Sequence, residues 1–439
     1  MTSRFPESWK LVPLEDAIEK LIDYRGKTPK KVEQGIPLVT AKIVKKGEVL
    51  PPNEFIAPED YDSWMTRGLP EVGDVVLTVE APLGEVAQLK NAHIALAQRI
   101  VTLRGKKDYL DNTYLKYALM SPFGQSELTA RESGSTVKGI KQSELKKVLI
   151  PVPPFQEQLD MAKILNNIDE KIRNNTAMNA TLEKIAQRIF KSWFVDFDPV
   201  KANAEGVPFD GLSPEIQSLF PNEFEESELG MIPKGWEVSN IEKEVKTVGG
   251  ATPSTKNPDF WNEGDVLWTT PKDLSDLKDK VIFNTARKIT SLGLKKISSG
   301  LLPKDTVLMS SRAPVGYLAI AKEPMAINQG YIAMKCEQDI TPYYMLCWLD
   351  KNMEIIKQRA GGTTFSEISK TNFRPIEFLK PSVNTINKFE QIVTPIFERI
   401  ETNARMTNNL SKIRDKLLPR LISGKITIQK AEELLEEAS

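Results

Sequence analysis

The motif RGKTPK near the N-terminus contains the most recognisable candidate chemistry, because Gly26, Lys27 and Thr28 match the last three residues of a nucleotide-binding P-loop. A P-loop has the form Gly-x-x-x-x-Gly-Lys-Ser/Thr, and Leu21 stands where its first glycine is required. Pro29 also pushes the preceding residue towards extended geometry, which disfavours a helix N-terminus that would hold phosphate. The motif is therefore not expected to bind a nucleotide.

Other residues suited to catalysis or metal binding are few. The segment VPPF resembles the Asn/Asp-Pro-Pro-Tyr/Phe motif of adenine methyltransferases, but Val152 has no side-chain group that could hold an exocyclic amine. His93 is the single histidine of the sequence, and Cys336 and Cys347 are its two cysteines, too few for a zinc site. We therefore predict no catalytic residue and no metal ligand.

Length and charge bound the class of protein. A chain of 439 residues predicts two or more domains. No apolar run approaches the roughly 20 residues that span a bilayer, the N-terminus lacks a secretion signal, and two cysteines make no disulfide framework, so we expect a cytoplasmic protein without membrane contact. The net charge is zero, but residues 196–230 hold nine acidic residues and one basic residue. The mildly basic remainder is compatible with DNA binding.

An internal repeat is the most informative feature of the sequence. Comparison of the chain with itself at a shift near 228 residues aligns FPESWK (5–10) with IPKGWE (232–237), RGKTP with GGATP (249–253), GIPLVTAK (35–42) with GDVLWTTPK (264–272), APLG (81–84) with APVG (313–316), and GSTVKGI (134–140) with GTTFSEI (362–368). β-rich runs bounded by Gly and Pro, such as 74–79 and 306–311, predict that each repeat begins with an α/β domain.

The segment that ends each repeat has the 3.5-residue period of helices packed along a seam. About 36 helical residues with a rise of ~1.5 Å span ~54 Å, so the two segments are predicted to pack on each other. A helix on a domain surface is the alternative. The predicted seam comprises Leu165, Ile168, Ile172, Asn175, Leu182, Ile189, Ile396, Asn403, Leu410 and Leu417.

Asn175 and Asn403 occupy matching positions in the middle of this seam. A seam asparagine often fixes register by finding a partner across the interface. A polar, solvated middle section is the alternative. Antiparallel helices would relate the repeats by a pseudo-two-fold axis and act as a spacer between the two domains. If the two domains read DNA, this spacer would set a gap between their half-sites.

Two long stretches resemble the central conserved region of type I restriction-modification specificity subunits, namely KSWFVDFDPVKANAEG (191–206) and FPNEFEESELGMIPKGWEV (220–238). RDKLLPRLISGKI (414–426), SRAPVG (311–316) and NQG (328–330) are similar to the family as well. The resemblance implies two globular α/β target-recognition domains, separated by two long antiparallel conserved helices in a pseudo-two-fold internal repeat. The expected boundaries are a first domain at 1–152, a central helix at 153–195, an acidic connector at 196–231, a second domain at 232–380, and a C-terminal helix and tail at 381–439.

The function implied by this resemblance is recognition of a bipartite, asymmetric DNA site by a subunit that is not itself an enzyme. Its partners would be double-stranded DNA and two methyltransferase subunits that methylate adenine at N6. Endonuclease and translocase subunits would join in a restriction complex. No cofactor would bind this chain, because the partners would bind S-adenosylmethionine, ATP and Mg²⁺. Different domains suit an asymmetric target, since identical readers related by a two-fold axis would read a palindrome.

Candidate DNA-binding residues are the cations and hydroxyls in the repeated loops, because such groups contact phosphates and base edges. In the first domain they are Lys27, Thr28, Thr40, Lys42, Lys45, Lys46, Thr136, Lys138 and Lys141, and in the second Thr252, Thr269, Thr270, Lys272, Arg312, Thr363 and Thr364. Arg312 is the sharpest candidate, since a guanidinium donates to both O6 and N7 of guanine. A solvated surface position is the alternative for each.

Three interpretations stay open. The aromatic residues Trp193, Phe194 and Phe197 are either core that closes the helix pair or a docking surface for the methyltransferase. The subunit could serve a methylation-only system, or one whose partner fuses methyltransferase and nuclease. A protein-binding scaffold without nucleic acid is the alternative from another class, because both domains are nearly neutral.

Overall fold

The computed structural model describes residues 5–134, 137–275, 277–362 and 366–436. It forms two compact units, of which one comprises Met1–Arg173 with Asn408–Ser439 and the other comprises Asn174–Thr407. Each unit combines one globular domain with parts of two helices of 40 residues. The units therefore differ from the five consecutive segments expected from sequence, because a helix ~60 Å long extends beyond one domain.

The first domain alternates short strands with short helices. Its elements are β1 (Lys10–Pro13), α1 (Leu14–Ala17), β2 (Ile18–Asp23), β3 (Ile36–Val39), β4 (Val44–Lys45), β5 (Glu48–Val49), β6 (Phe55–Ile56), a 3-10 helix (Pro58–Asp60), α2 (Tyr61–Trp64), β7 (Val75–Val79), β8 (Leu83–Gln88), β9 (Ala95–Leu96), β10 (Ile100–Gly105), α3 (Asn112–Met120), α4 (Pro122–Ala130), α5 (Gln142–Leu145) and β11 (Leu149–Val152). The first long helix, α6 (Phe155–Phe194), follows.

The acidic connector has secondary structure of its own, namely α7 (Asp198–Glu205), α8 (Pro214–Gln217) and the hairpin of β12 (Phe224–Ser227) and β13 (Gly230–Pro233). The second domain consists of β14 (Glu237–Asn240), α9 (Ile241–Glu244), β15 (Lys246–Val248), a 3-10 helix (Pro258–Phe260), β16 (Val266–Thr269), α10 (Pro271–Ser275), β17 (Val281–Ile282), β18 (Arg287–Ile289), α11 (Ser291–Leu294), β19 (Val307–Ser310), β20 (Leu318–Ala321), β21 (Ala326–Ile327), β22 (Tyr331–Lys335), α12 (Pro342–Lys351), α13 (Met353–Gln358), α14 (Lys370–Phe373) and β23 (Glu377–Lys380). The chain continues in α15 (Val383–Ile422) and α16 (Ile428–Glu436).

The two domains share one topology. The first has a sheet of order β2-β10-β7-β8, and the second has β15-β22-β19-β20 with β17 added at the edge. Each has a three-stranded sheet whose middle strand, β3 or β16, pairs with one antiparallel and one parallel neighbour. Both domains also share a tyrosine hydrogen bond. Tyr114 of α3 donates its hydroxyl to the carbonyl of Pro151 at 2.8 Å, and Tyr344 of α12 donates to that of Leu379 at 3.4 Å. The repeat found in the sequence is therefore a structural repeat.

Within the second unit, α6 and α15 pack antiparallel. Asn179 of α6 bonds Asn403, whereas Phe194, fifteen residues later, packs on the ring of Phe389, fourteen residues earlier on α15.

Six of the predicted seam residues are buried: Leu165, Ile168, Ile172, Asn175, Asn403 and Leu417. The other four, Leu182, Ile189, Ile396 and Leu410, are partly buried in the cores of their units. In the first unit a polar group joins this packing, because Asp169 accepts hydrogen bonds from Tyr117 at 2.7 Å and Arg414 at 3.1 Å.

The asparagine partner differs from the one that matching sequence positions would suggest. The Nδ2 of Asn403 donates to the Oδ1 of Asn179 at 2.9 Å, and Asn179 donates to the carbonyl of Ile400 at 3.1 Å. Asn175 lies one helical turn, ~6 Å, from Asn179, and its buried Nδ2 has no hydrogen-bond partner among the described residues. Residues at equal repeat positions are not opposite each other in this antiparallel register.

Replacement of Asn179 by alanine is expected to lower the free energy of unfolding of the second unit by about 1–3 kcal/mol, because the buried Asn403 amide loses its acceptor. Asn175→Ala is the matched control, since it removes a buried amide that has no such bond. Thermal unfolding of both variants measures the difference. An equal or larger loss in Asn175→Ala would show that the asparagine pair does not stabilise the helices.

Candidate nucleic-acid interface

In the second domain, the loops that follow β16, β19 and β21 lie close together. Ala251 donates its amide to the carbonyl of Ile327 at 3.1 Å, and Asn328 donates to Thr269 at 3.0 Å. Ser311 likewise bonds Gly330 at 2.8 Å. Together with the hydrogen bond that Ile368 donates to Ser311 at 2.9 Å, these bonds bring segments 249–254, 269–273, 310–316, 327–330, 361–362 and 366–368 together, and we call this surface the second loop edge.

The first domain builds the corresponding surface from its own loops. Ala97 donates its amide to Val39 at 3.0 Å, and Ile140 donates to Val79 at 3.0 Å. The guanidinium of Arg25 reaches the carbonyl of Ile140 at 2.6 Å. These hydrogen bonds join segments 25–30, 39–42, 79–84, 97–99 and 137–141 into the first loop edge.

A threonine–glutamine pair occurs at the same place in both loop edges. Thr28 donates to the Oε1 of Gln98 at 3.3 Å, and Thr252 donates to the Oε1 of Gln329 at 2.6 Å. Both threonines are exposed. The two glutamines were not predicted as DNA-binding residues, although their equal positions in the repeat are visible in the sequence. Each amide presents a donor and an acceptor, the pattern that recognises adenine in the major groove.

The lysines among the candidates are all exposed, but several have local partners. Lys42 lies 3.5 Å from Glu54, whose pKa is lowered chiefly by a hydrogen bond from Lys31. Lys138 bonds Glu132 at 2.5 Å. Lys27, Lys141 and Lys272 lie in or beside the loop edges, and Lys45 and Lys46 lie on the β4–β5 hairpin. Exposed ion pairs stabilise little, so these cations can exchange a carboxylate for phosphate at small cost.

Some candidates point inwards or lie beyond the described structure. Thr40 is buried, and Thr269 is fully buried with its hydroxyl 2.9 Å from that of Tyr331. Burial raises the pKa of Tyr331. Thr270 donates its hydroxyl to the carboxylate of Asp273 at 2.9 Å and immediately precedes α10. The remaining three candidates, Thr136, Thr363 and Thr364, lie outside the described residues.

Arg312 lies in a turn whose counterpart in the first domain carries the opposite charge. Ala81 and Ala313 both have positive φ, +47° and +56°, and each precedes a cis-proline. The residue before each alanine forms an isolated β-bridge across its loop edge, Glu80 with Gly139 and Arg312 with Glu367. The Arg312 guanidinium is 38% exposed and 3.8 Å from the Glu367 carboxylate. The hydrogen-bond donors of Arg312 therefore lie at the second loop edge. At the corresponding position of the first loop edge, Glu80 has a carboxylate, which only accepts hydrogen bonds.

The described part of the chain holds no group of three or more His, Cys, Asp or Glu residues arranged to bind a metal ion. None of the helices in that part is long and apolar enough to cross a bilayer.

A family model described as the type I restriction modification DNA specificity domain matches the chain twice, over residues 6–184 and 233–412. The chain belongs to this type I specificity family. The two matches coincide with the two sequence repeats, so the predicted family and the predicted fold class, two α/β target-recognition domains with two long antiparallel helices, are confirmed.

Relatives of this specificity-family chain extend over most of its length. The type I restriction enzyme MjaIX specificity subunit of Methanocaldococcus jannaschii is 28% identical, over 97% of this chain and 95% of that protein. The HindI specificity subunit of Haemophilus influenzae is also 28% identical, over 68% of this chain and 74% of the relative. The crystal structure of a type I system S subunit from M. genitalium has the same fold, with a TM-score of 0.58 and 16% identity over 96% of this chain and 99% of that one.

The aromatic residues at the end of α6 lie in the core of the second unit. Trp193 is 3% exposed and Phe194 is 6% exposed. The Phe194 ring packs on Tyr344 at 4.9 Å between centroids, and Phe197 packs on Trp236 at 5.7 Å. The core interpretation of Trp193 and Phe194 therefore fits the structure, whereas Phe197 is only partly buried.

Proposed function

We propose that this chain recognises a bipartite, asymmetric DNA sequence, with one half-site read by each loop edge. The observation that carries the proposal is the pairing of equal architecture with unequal chemistry. Both loop edges have the same threonine–glutamine pair and the same Ala-Pro turn, but Arg312 of the second corresponds to Glu80 of the first. A guanidinium donates to guanine and a carboxylate accepts from cytosine, so the two edges favour different bases.

The proposed partner subunits would carry out the methylation and cleavage reactions, for which this chain would contribute no catalytic group. Two methyltransferase subunits would bind S-adenosylmethionine and methylate adenine at N6 on opposite strands of the recognised site. In a restriction complex, an endonuclease and translocase subunit would use ATP and Mg²⁺. The chain itself would hold the target sequence in register and contribute no catalytic group. Membership of the type I specificity family supports this division of labour.

Single-molecule sequencing of N6-methyladenine tests the proposal. In a host that expresses the methyltransferase, deletion of this gene is expected to abolish one gapped methylation motif, and the wild-type gene should restore it. The restored motif also gives the sequence and gap length that the two domains read. Unchanged methylation after deletion would contradict the proposal.

A methylation-only system and a fused nuclease–methyltransferase would give the same methylation result. A restriction assay with unmethylated phage DNA separates these from a complete restriction system. A protein-binding scaffold without nucleic acid would instead show no salt-dependent binding to random DNA, because the release of counterions makes DNA binding depend on salt.

A further inference from the structure

An exposed cluster of cations and aromatic rings lies beside the second loop edge. The guanidinium carbon of Arg287 sits 3.7 Å from the centroid of the Trp261 ring, and the Nζ of Lys296 sits 5.8 Å from that of Phe260. Lys295 adjoins Lys296 at the end of α11, and all three cations are exposed. We call these five residues the Arg287 patch.

The aromatic rings fix the position of the Arg287 guanidinium. Trp261 packs edge-to-face on the buried Trp268, with centroids 5.0 Å apart, and donates its indole N–H to the carbonyl of Ser254 at 3.0 Å. The Trp261 ring lies against one face of the guanidinium. The N–H groups point outward in the guanidinium plane, so the ring does not cover them. A guanidinium held in this way is preorganised to donate two parallel hydrogen bonds to a phosphate.

No carboxylate neutralises the patch within the described structure. None of its three cations lies within 4.0 Å of a carboxylate oxygen of a described residue. Asp259 and Glu263 are on the adjoining segment, but neither forms an ion pair with the patch, and Asp259 uses its backbone carbonyl to accept a bond from Thr290. Unpaired cations around an ordered guanidinium suit an anionic polymer better than a neutral surface.

The patch is a property of the second domain alone. β6 and β18 are equivalent, because each pairs antiparallel with the middle strand of the three-stranded sheet. After β6 the first domain has the acidic residues Glu59, Asp60 and Asp62, whereas the segment after β18 has Lys295 and Lys296. The segments that follow these two equivalent strands therefore carry opposite charges next to the strand-end helix.

The patch is also attached to the loop edge. Trp268 donates its indole N–H to the carbonyl of Ala251 at 3.2 Å, and Trp261 donates to that of Ser254, so two residues of segment 249–254 are bonded to the rings beside Arg287. A duplex that contacts the second loop edge would continue over these cations.

We propose that the Arg287 patch binds the DNA backbone beside the half-site of the second domain, an inference that rests on the proposed DNA-recognition function. Arg287 binds a phosphate through two N–H groups, and Lys295 and Lys296 act as point charges on neighbouring phosphates. These interactions carry no sequence information and retain the protein on DNA of any sequence.

Fluorescence anisotropy of the full-length chain with a labelled random-sequence duplex tests the patch, both for the chain alone and assembled with the methyltransferase. The double variant Arg287→Ala, Lys296→Ala is expected to bind more weakly. The slope of log Kd against log salt should decrease by ~0.9 for each phosphate that the variant no longer neutralises. Arg287→Lys should retain most of the slope but bind more weakly than wild type, because an ammonium lacks the planar fork.

Lys288→Ala is the matched control. It removes the same charge from the same strand, but strand alternation places Lys288 on the face opposite Arg287. It should leave the salt slope unchanged, and thermal unfolding should confirm that every variant is folded. If Arg287→Ala does not fold, Lys296→Ala, at an exposed helix end, carries the test alone, and the slope should then decrease by the amount expected for a single phosphate.

The inference is overturned if the folded variants keep the wild-type slope, or if Lys288→Ala reduces it equally. Those outcomes leave the DNA-recognition function standing when the wild type still binds DNA and directs methylation. A wild-type complex that binds no DNA, with no methylation motif abolished by gene deletion, would instead reject the proposed function and this inference with it.

Discussion

Substitution of Arg312 by alanine is expected to weaken recognition at one half-site and to leave the other half-site unchanged. The turn at Ala313 holds the arginine at the second loop edge, where its exposed pair with Glu367 at 3.8 Å leaves donors free. A bidentate pair with guanine discriminates by about 1–3 kcal/mol, which is roughly 5-fold to 150-fold in affinity. The variant should therefore tolerate other bases at one position of the methylation motif.

Sequencing of N6-methyladenine in cells that carry the variant measures this relaxation position by position. Glu80→Gln is the paired experiment, since the equivalent side chain of the first domain should affect the opposite half-site. Glu367→Gln controls for the loss of the ion pair and should change neither half. If Arg312→Ala weakens specific and random duplexes by the same factor, the arginine contacts phosphate and does not read a base.

Replacement of Phe389 by alanine is expected to lower the free energy of unfolding of the second unit by about 3–5 kcal/mol. Phe389 is fully buried on α15, and its ring contacts Phe194 at 5.3 Å and Phe190 at 5.8 Å on α6. Tyr344 of the second domain lies 6.2 Å away. Loss of the ring leaves a cavity where two helices and a domain share one core.

Thermal or urea unfolding, followed by tryptophan fluorescence, measures this effect. Ile355→Ala is the control, because that side chain is 46% exposed and its truncation should change stability by no more than about 0.5 kcal/mol. A Phe389→Ala protein that melts like wild type would show that the aromatic cluster does not hold α15 in place.

Much of the architecture was accessible from sequence because it depends on periodic patterns. The 3.5-residue period predicted two long helices from apolar spacing alone, and the shift of 228 residues predicted two similar domains. Glycine, threonine and proline repeat in RGKTP and GGATP because both segments form the same loop, with Thr28 and Thr252 bonded to equivalent glutamines. The lysine of the first copy is dispensable to that loop, as expected for a segment that is not a P-loop.

The individual side-chain partners were not accessible, because they are residues that only folding brings together. Thr40 and Thr269 are hydroxyl residues of repeated segments, yet both are buried. Asn403 bonds Asn179 instead of Asn175 because helix packing sets the register. The residue types that suit DNA were sought in loops, but whether each side chain lies in the core, beside a partner carboxylate or on an open surface depends on through-space geometry.

The sequence by itself determined the family, the two repeats and the long helical segments, because motifs and their spacing can be read directly from the order of the residues. The tertiary structure alone decided that Glu80 corresponds to Arg312, and that Arg287 stacks on Trp261 beside a loop edge. The physical reason is that periodicity is local along the chain, whereas a binding surface is a sum of distant segments whose positions are set by the packing of the core.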